Sequence, residues 1–225
     1  MKMSDGTFTR EVELDSLGLT LKIRQHFVGD VSCVVWDASI VLAKYLEKLH
    51  SDHKKKFSRL NILELGAGMG CVGLTAACLG GNVTVTDLPE VLPALLSNIE
   101  SNKTVWEKNG GTIKAKPIDW SSALSPEEWD LPDLIVLADC VYYQESVNHL
   151  IETLLRLSGD ETKLLLCQEE RQTEKQKSVW KNFLEQFEMH FDFKKVPQNE
   201  QHDVFNSVDI CILDARRKQP RNKSS

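Results

Sequence analysis

One stretch limits the fold more than any other. The apolar run Leu60–Leu65 ends in Gly66-Ala67-Gly68-Met69-Gly70 and passes straight into the small-residue helical segment Cys71–Leu79. Strand, glycine turn and helix in that order open a parallel α/β sheet. Downstream, strands are predicted at Asn82–Thr86, Thr112–Pro117, Leu134–Ala138, Lys163–Gln168, Phe191–Val196 and Ser207–Leu213, and helices at Pro89–Asn102, Ser146–Leu157 and Glu174–Phe187. Such alternation implies right-handed crossovers and a mostly parallel sheet covered on both faces. Upstream, Phe8–Phe27 alternates as a hairpin around Asp15-Ser16-Leu17-Gly18, and Trp36–Leu46 carries an apolar stripe at helical spacing. No internal repeat or low-complexity tract divides the 225 residues.

Composition narrows the function classes. Hydrophobic residues at 41% and charged residues at 27% are ordinary globular values. A net charge of −6 argues against a general nucleic-acid binder, which needs surplus Lys and Arg to displace phosphate counterions. The basic patches His53–Lys56 and Arg216–Lys223 read as a solvated loop and a frayed terminus. Apolar runs such as Leu134–Ala138 and Leu164–Cys167 are strand-length, so no membrane span is expected. Met1–Arg10 shows neither a secretory nor a presequence pattern, which makes the cytoplasm, with the nucleus as a second site, the expected compartment. Cys33, Cys71, Cys78, Cys140, Cys167 and Cys211 form no CxxC pair and read as buried reduced thiols; no metal site is expected.

In an open parallel sheet, ligands bind beyond the carboxyl ends of the strands, above all at the loop after the first core strand. Here that loop is Glu64-Leu65-Gly66-Ala67-Gly68-Met69-Gly70. Its glycines permit positive φ and close backbone approach. The dinucleotide spacing GxGxxG would need a glycine where Cys71 stands, which disfavours a nicotinamide cofactor. Asp87, nineteen residues beyond Gly68, is placed to accept hydrogen bonds from both ribose hydroxyls of an adenosine; the alternative is an N-cap for the next helix. Asp119-Trp120 suits the bracketing of an adenine, or is a buried loop tryptophan. Trp36 either closes over the far end of a ligand or anchors the N-terminal extension.

These residues, Glu64-x-Gly66-x-Gly68-x-Gly70, Asp87, Asp119-Trp120 and Asp139-Cys140-Val141-Tyr142, resemble the seven-β-strand methyltransferases, specifically the protein-lysine methyltransferase branch with a DxxY signature, of the methyltransferase-like 21 type. The wider context, Cys33–Ala38, Ala138–Tyr143 and Phe191-Asp192-Phe193, is similar to the branch that methylates a lysine of valosin-containing protein, a hexameric AAA ATPase. The resemblance implies a Rossmann-like sheet of order 3-2-1-4-5-7-6 with the last strand antiparallel, and an S-adenosyl-L-methionine-dependent protein-lysine N-methyltransferase. It places the cofactor against Trp36, Gly66, Ala67, Gly68, Asp87, Trp120 and Ala138, with Glu64 supporting the loop. It also implies the ATPase as protein substrate, and neither nucleic acid nor membrane as partner. Residues 1–225 are then expected to form one monomeric domain: an N-terminal extension over 1–50, a catalytic core over 58–215 and a flexible tail over 216–225. Gln168 departs from the pattern, since relatives commonly carry an aromatic there.

A lysine ammonium, with an ordinary pKa of about 10.4, has no lone pair to offer, so the site must favour the neutral amine and aim it. Asp139 is the expected binding and orienting group, with proton removal a secondary role, and Tyr142 the expected channel wall. Their alternatives are a helix cap and a core aromatic. Two further classes compete: a non-catalytic binding module on the same fold, and an amino-methyltransferase acting on nucleic acid. The second typically carries [DN]PP[YFW], where this chain has Cys140 and Val141 in place of both prolines.

Overall fold

The structure, a computed structural model, describes residues 6–26, 31–52, 57–123 and 129–219. The basic patch His53–Lys56, the residue Phe27 and positions 220–225 lie outside the described residues. Strands β1 (Thr7–Leu14) and β2 (Leu19–His26) form an antiparallel hairpin. There follow α1 (Asp37–Asp52), β3 (Asn61–Leu65), α2 (Cys71–Cys78), β4 (Asn82–Asp87), α3 (Leu92–Ser101), the single turn α4 (Lys103–Trp106) and β5 (Thr112–Pro117). The second half holds β6 (Leu134–Ala138), α5 (Ser146–Leu157), β7 (Lys163–Glu169), α6 (Glu174–His190), β8 (Phe191–Lys195) and β9 (Ile210–Arg217). The main sheet runs β5-β4-β3-β6-β7-β9-β8, parallel except that β9 is antiparallel to both neighbours. This is the expected order and class.

Both faces are covered, and the strand sequences show why. In β6, Leu134 and Val136 face one core while Ile135 and Leu137 face the other; β7 divides Leu165 and Cys167 from Leu164 and Leu166 in the same way. A strand buried on both faces reads as a continuous apolar run. The first core gathers the hairpin, α1, α2 and α3, and the second gathers α5 and α6. Helix α5 buries Val147, Leu150, Ile151, Leu154 and Leu157, one face at three and four residue spacing. In α6, Val179, Phe183 and Phe187 lead into Phe191, with ring centroids 5.2 and 4.5 Å apart along the stack. Helix α2 needs small residues because it lies directly on the sheet: a Cβ at Gly73 would come within 2.2 Å of Val85 Cγ1 and 2.5 Å of Glu64 Oε2.

The N-terminal elements are built into this body. Two buried asparagines, Asn98 in α3 and Asn102 at its C-cap, act as a surrogate strand for the free edge of β2. Asn98 accepts from Arg24 N at 2.9 Å and donates to Arg24 O at 3.0 Å, and Asn102 does the same with Lys22 at 2.8 and 3.0 Å. On the other side the hairpin turn is pinned through Lys44, whose ammonium is 3.0 Å from Asp15 and 3.0 Å from the buried Glu47. Asp15, Glu47 and His202 have ligand atoms within 4.8 Å of one another, yet the cation among them is the chain's own. Helix α1 shares the first core with α2 and β7, so it is a layer of the sheet.

Ends differ from the expected ones for local reasons. The helix predicted from Pro89 starts at Leu92, because Leu88–Val91 closes as a turn first. The last strand runs three residues later than predicted at its start and four at its end. Arg216 and Arg217, assigned to the tail, pair with Lys163 and Phe191, and Arg217 donates to Leu155 O and Ser158 O. Five cysteines are buried, whereas Cys33, expected buried, is half-buried; all six are free. No helix among the described residues is long and apolar enough to cross a membrane.

Candidate active site

The carboxyl ends of β3, β4, β5, β6 and β7 share one rim, and the residues singled out by sequence fall along it. After β3 the chain turns through Gly66, Gly68 and Gly70 with φ of 63°, 53° and 88°. Only glycine adopts these angles without strain. At Gly66 a Cβ would lie 2.7 Å from Cys140 Sγ and 3.3 Å from Trp120 Cζ2, so bare backbone passes between them. At Gly68 the nearest atom to a Cβ is Ser32 O, at 3.4 Å. Met69 turns the other way, into the first core, where its carbonyl accepts from Asn98 at 3.1 Å.

Two carboxylates set this loop. Asp87 Oδ2 accepts from Gly68 N at 2.7 Å and Oδ1 from Leu88 N at 2.8 Å, so Asp87 organises the loop and does not cap α3. Burial pushes its carboxyl up, against the two backbone donors. A carboxylate offers about four lone-pair sites, and two are used. Glu64 is fully inside, with Oε2 accepting from Gly73 N in the first turn of α2 at 2.8 Å. Burial pushes it up to about 8, and the Asp87 charge adds to that. Ala67 is held by its N–H to Thr86 O at 2.9 Å.

Beyond β5, Asp119 Oδ1 accepts from Ser121 N and Oγ at 2.8 and 2.7 Å; those bonds hold its carboxyl below the usual range and fix the turn that presents the half-buried Trp120. Trp36 precedes α1, and its carbonyl takes the first helical N–H groups. Its indole N–H donates to Val31 O at 2.8 Å, which sets the ring plane.

Asp139, directly after Ala138 and β6, has φ 55°, a left-handed conformation that Asp tolerates better than most residues. It caps no helix: α5 starts seven residues later. Its N–H donates to Cys167 O at 2.8 Å, and its carboxylate is 5% exposed. Gln168 lies beneath this loop, 3% exposed, donating to Asp139 Oδ1 at 2.9 Å and Val141 O at 3.3 Å and accepting from Val141 N at 3.1 Å. Gln168, which departs from the pattern of its relatives, is thus a buried clamp on the DxxY loop. Tyr142 is half-buried, its ring edge-on to the exposed Tyr143 at 4.5 Å.

Sequence reasoning missed Arg171. Its Nη2 is 2.6 Å from Asp139 Oδ2 and 3.1 Å from Glu169 Oε2, and its guanidinium lies 4.8 Å from the centre of the Trp36 ring. The available signal was the polar run Gln168-Glu169-Glu170-Arg171 at the carboxyl end of a predicted parallel strand, where ligands bind.

Bare backbone at Gly66 and Gly68, a desolvated carboxylate with acceptor capacity left, and half-buried indoles at Trp36 and Trp120 are a donor and surface set that fits an adenosyl group. Known proteins agree. Residues 15–189 match the profile of a family described as "Lysine methyltransferase". EEF1A lysine methyltransferase 3 of Xenopus tropicalis is 32% identical over 200 residues, covering 88% of this chain and 84% of that protein. Protein N-lysine methyltransferase METTL21A of Mus musculus is 35% identical over 190 residues, covering 82% and 80%. Among solved structures, the Thermus thermophilus 16S rRNA N2 G1207 methyltransferase RsmC, in complex with AdoMet and guanosine, superposes with a TM-score of 0.64 at 17% identity, over 97% of this chain and 52% of that one. The glycopeptide N-methyltransferase MtfA, complexed with sinefungin, gives 0.57 at 13% identity, over 78% and 94%. Those two likenesses carry the fold alone. The family match and the relatives carry more: this chain belongs to the lysine methyltransferase family, as an S-adenosylmethionine-dependent protein-lysine N-methyltransferase of the methyltransferase-like 21 type.

Proposed function

We propose that the acceptor is a lysine of valosin-containing protein, the AAA ATPase, and that Asp139 receives its amine. One observation supports this most: the two segments that carry the resemblance to that branch, Cys33–Ala38 and Ala138–Tyr143, lie far apart in sequence yet meet through Arg171, which touches both Trp36 and Asp139. Bound along the glycine loop, the cofactor supplies an electrophilic methyl on a sulfonium. Asp87, with its remaining lone pairs, would take the ribose hydroxyls, Gly66, Ala67 and Gly68 would give backbone without obstruction, Trp120 would bracket the adenine, Trp36 would close over the methionyl end, Ala138 would line the same site, and Glu64 would hold the loop in place. Asp139 accepts a hydrogen bond from the lysine nitrogen and directs its lone pair, while Tyr142 excludes water and offers a ring face to the methylated cation. The enzyme works as a monomer of one domain in the cytoplasm, with the nucleus as a second site, where its free thiols stay reduced.

The test is incubation with methyl-labelled cofactor and, separately, folded valosin-containing protein and eukaryotic elongation factor 1A, the acceptor named in a relative. Label on a lysine of the ATPase, located by mass spectrometry, is the expected result. Label on the elongation factor alone would move the substrate assignment there, and label on neither would remove it.

A further inference from the structure

An acceptor lysine beside a lone carboxylate is stabilised as the ammonium, because a nearby anion raises a lysine's proton affinity, and a protonated nitrogen has no lone pair to methylate. Asp139, nearly shut off from water, would by itself hold the substrate in its unreactive form. It is not by itself. The Arg171 guanidinium is 2.6 Å from Oδ2, Gln168 donates to Oδ1 at 2.9 Å, and Glu169 N approaches Oδ1 at 3.4 Å. Three of about four lone-pair sites are thereby taken, which leaves room for one further donor.

We propose that Arg171 is a positioning residue for methyl transfer: its permanent positive charge balances Asp139, so that the carboxylate orients the acceptor lysine as a neutral amine. The proposal rests on Asp139 being the amine site. As the lysine seats, its proton passes to water and the electron pair stays on nitrogen. Trp36 keeps the cation in place through its ring face at 4.8 Å.

The other charges around Asp139 leave this role to Arg171. Glu169 shares the guanidinium at 3.1 Å but is 34% exposed and screened by water. Glu170 is paired with Lys195 at 3.1 Å. Cys140 and Cys167, on either side, are held as neutral thiols by burial, and Asp87 across the rim carries charge of the wrong sign. With Arg171 present, Asp139, Glu169 and Arg171 sum to one negative charge; without it they sum to two.

The experiment is kcat against pH, which reports groups in the enzyme–substrate complex, with folded valosin-containing protein as acceptor. Arg171→Gln is expected to move the acidic limb up by about one unit, a loss of about tenfold on the limb that high pH restores. Arg171→Lys, which keeps the charge, should leave the limb near its wild-type position. Calorimetric binding of S-adenosylhomocysteine should be within about threefold of wild type in both. An equal loss at every pH, or faster turnover in Arg171→Gln because a plug was removed, would overturn the proposal. Asp139→Asn separates the two layers: if it keeps full turnover, Asp139 is not the amine site and the underlying assignment fails; if it loses turnover while Arg171→Gln leaves the limb unmoved, only the role of Arg171 fails.

Discussion

Asp139 combines three conditions: a left-handed backbone at φ 55°, a buried carboxylate, and a guanidinium at 2.6 Å. The first decides how it should be tested. Alanine at such an angle costs about 1–2 kcal/mol, whereas asparagine tolerates it. Asp139→Asn is therefore the cleaner variant: it is expected to lower turnover by about 10²-fold or more and, having lost one acceptor for Arg171 but not the backbone angle, to melt below wild type yet above Asp139→Ala. Asp139→Ala should lose turnover and also melt lower. Glu64 makes a prediction about pH. Its folded midpoint is about 8 against an ordinary 4.5, so between those values the folded protein keeps a proton that the unfolded chain has released. Stability from this group falls as pH rises through that window and is level above it. Glu64→Gln, neutral throughout, should flatten the fall in melting temperature measured between about pH 5 and 8. A parallel slope in both proteins would show that Glu64 ionises normally.

At the scale of elements, legibility followed the range of the forces involved. The glycine loop was readable because positive φ at three positions in five leaves glycine as the unstrained residue, and strands β5 and β6 ended where predicted because turn residues bound them. Asn98 and Asn102 were not readable. Helical spacing put them on one face of the predicted helix Pro89–Asn102, but their partners Arg24 and Lys22 are 74 and 80 residues away, and a buried amide pair has no periodicity of its own. Arg171 was hidden likewise, 32 residues from Asp139 in a loop that carries no repeat. The Asn98 clasp predicts a measurable cost. Asn98→Ala removes acceptor and donor from a buried site and leaves Arg24 N and O and Met69 O short of a partner, so denaturant unfolding should show a loss of about 2–4 kcal/mol. A change below about 0.5 kcal/mol would mean that water takes over those bonds.

For the molecule as a whole, the proposed function gives one rim of the sheet two tasks, which meet at β6 between Ala138 and Asp139. In the proposed reading the cofactor side centres on Asp87 at the end of β4, flanked by β3 and β5, and the acceptor side on Asp139 after β6, backed by β7. The glycine loop joins them, running with bare backbone between Cys140 and Trp120. That division is the central claim, and calorimetric titration of S-adenosylhomocysteine into the wild type, Asp87→Ala and Asp139→Asn tests it most directly. The account predicts binding to the wild type, affinity at least about tenfold weaker in Asp87→Ala, and a change of less than about threefold in Asp139→Asn. Equal losses in the two variants, or no binding to the wild type, would contradict it.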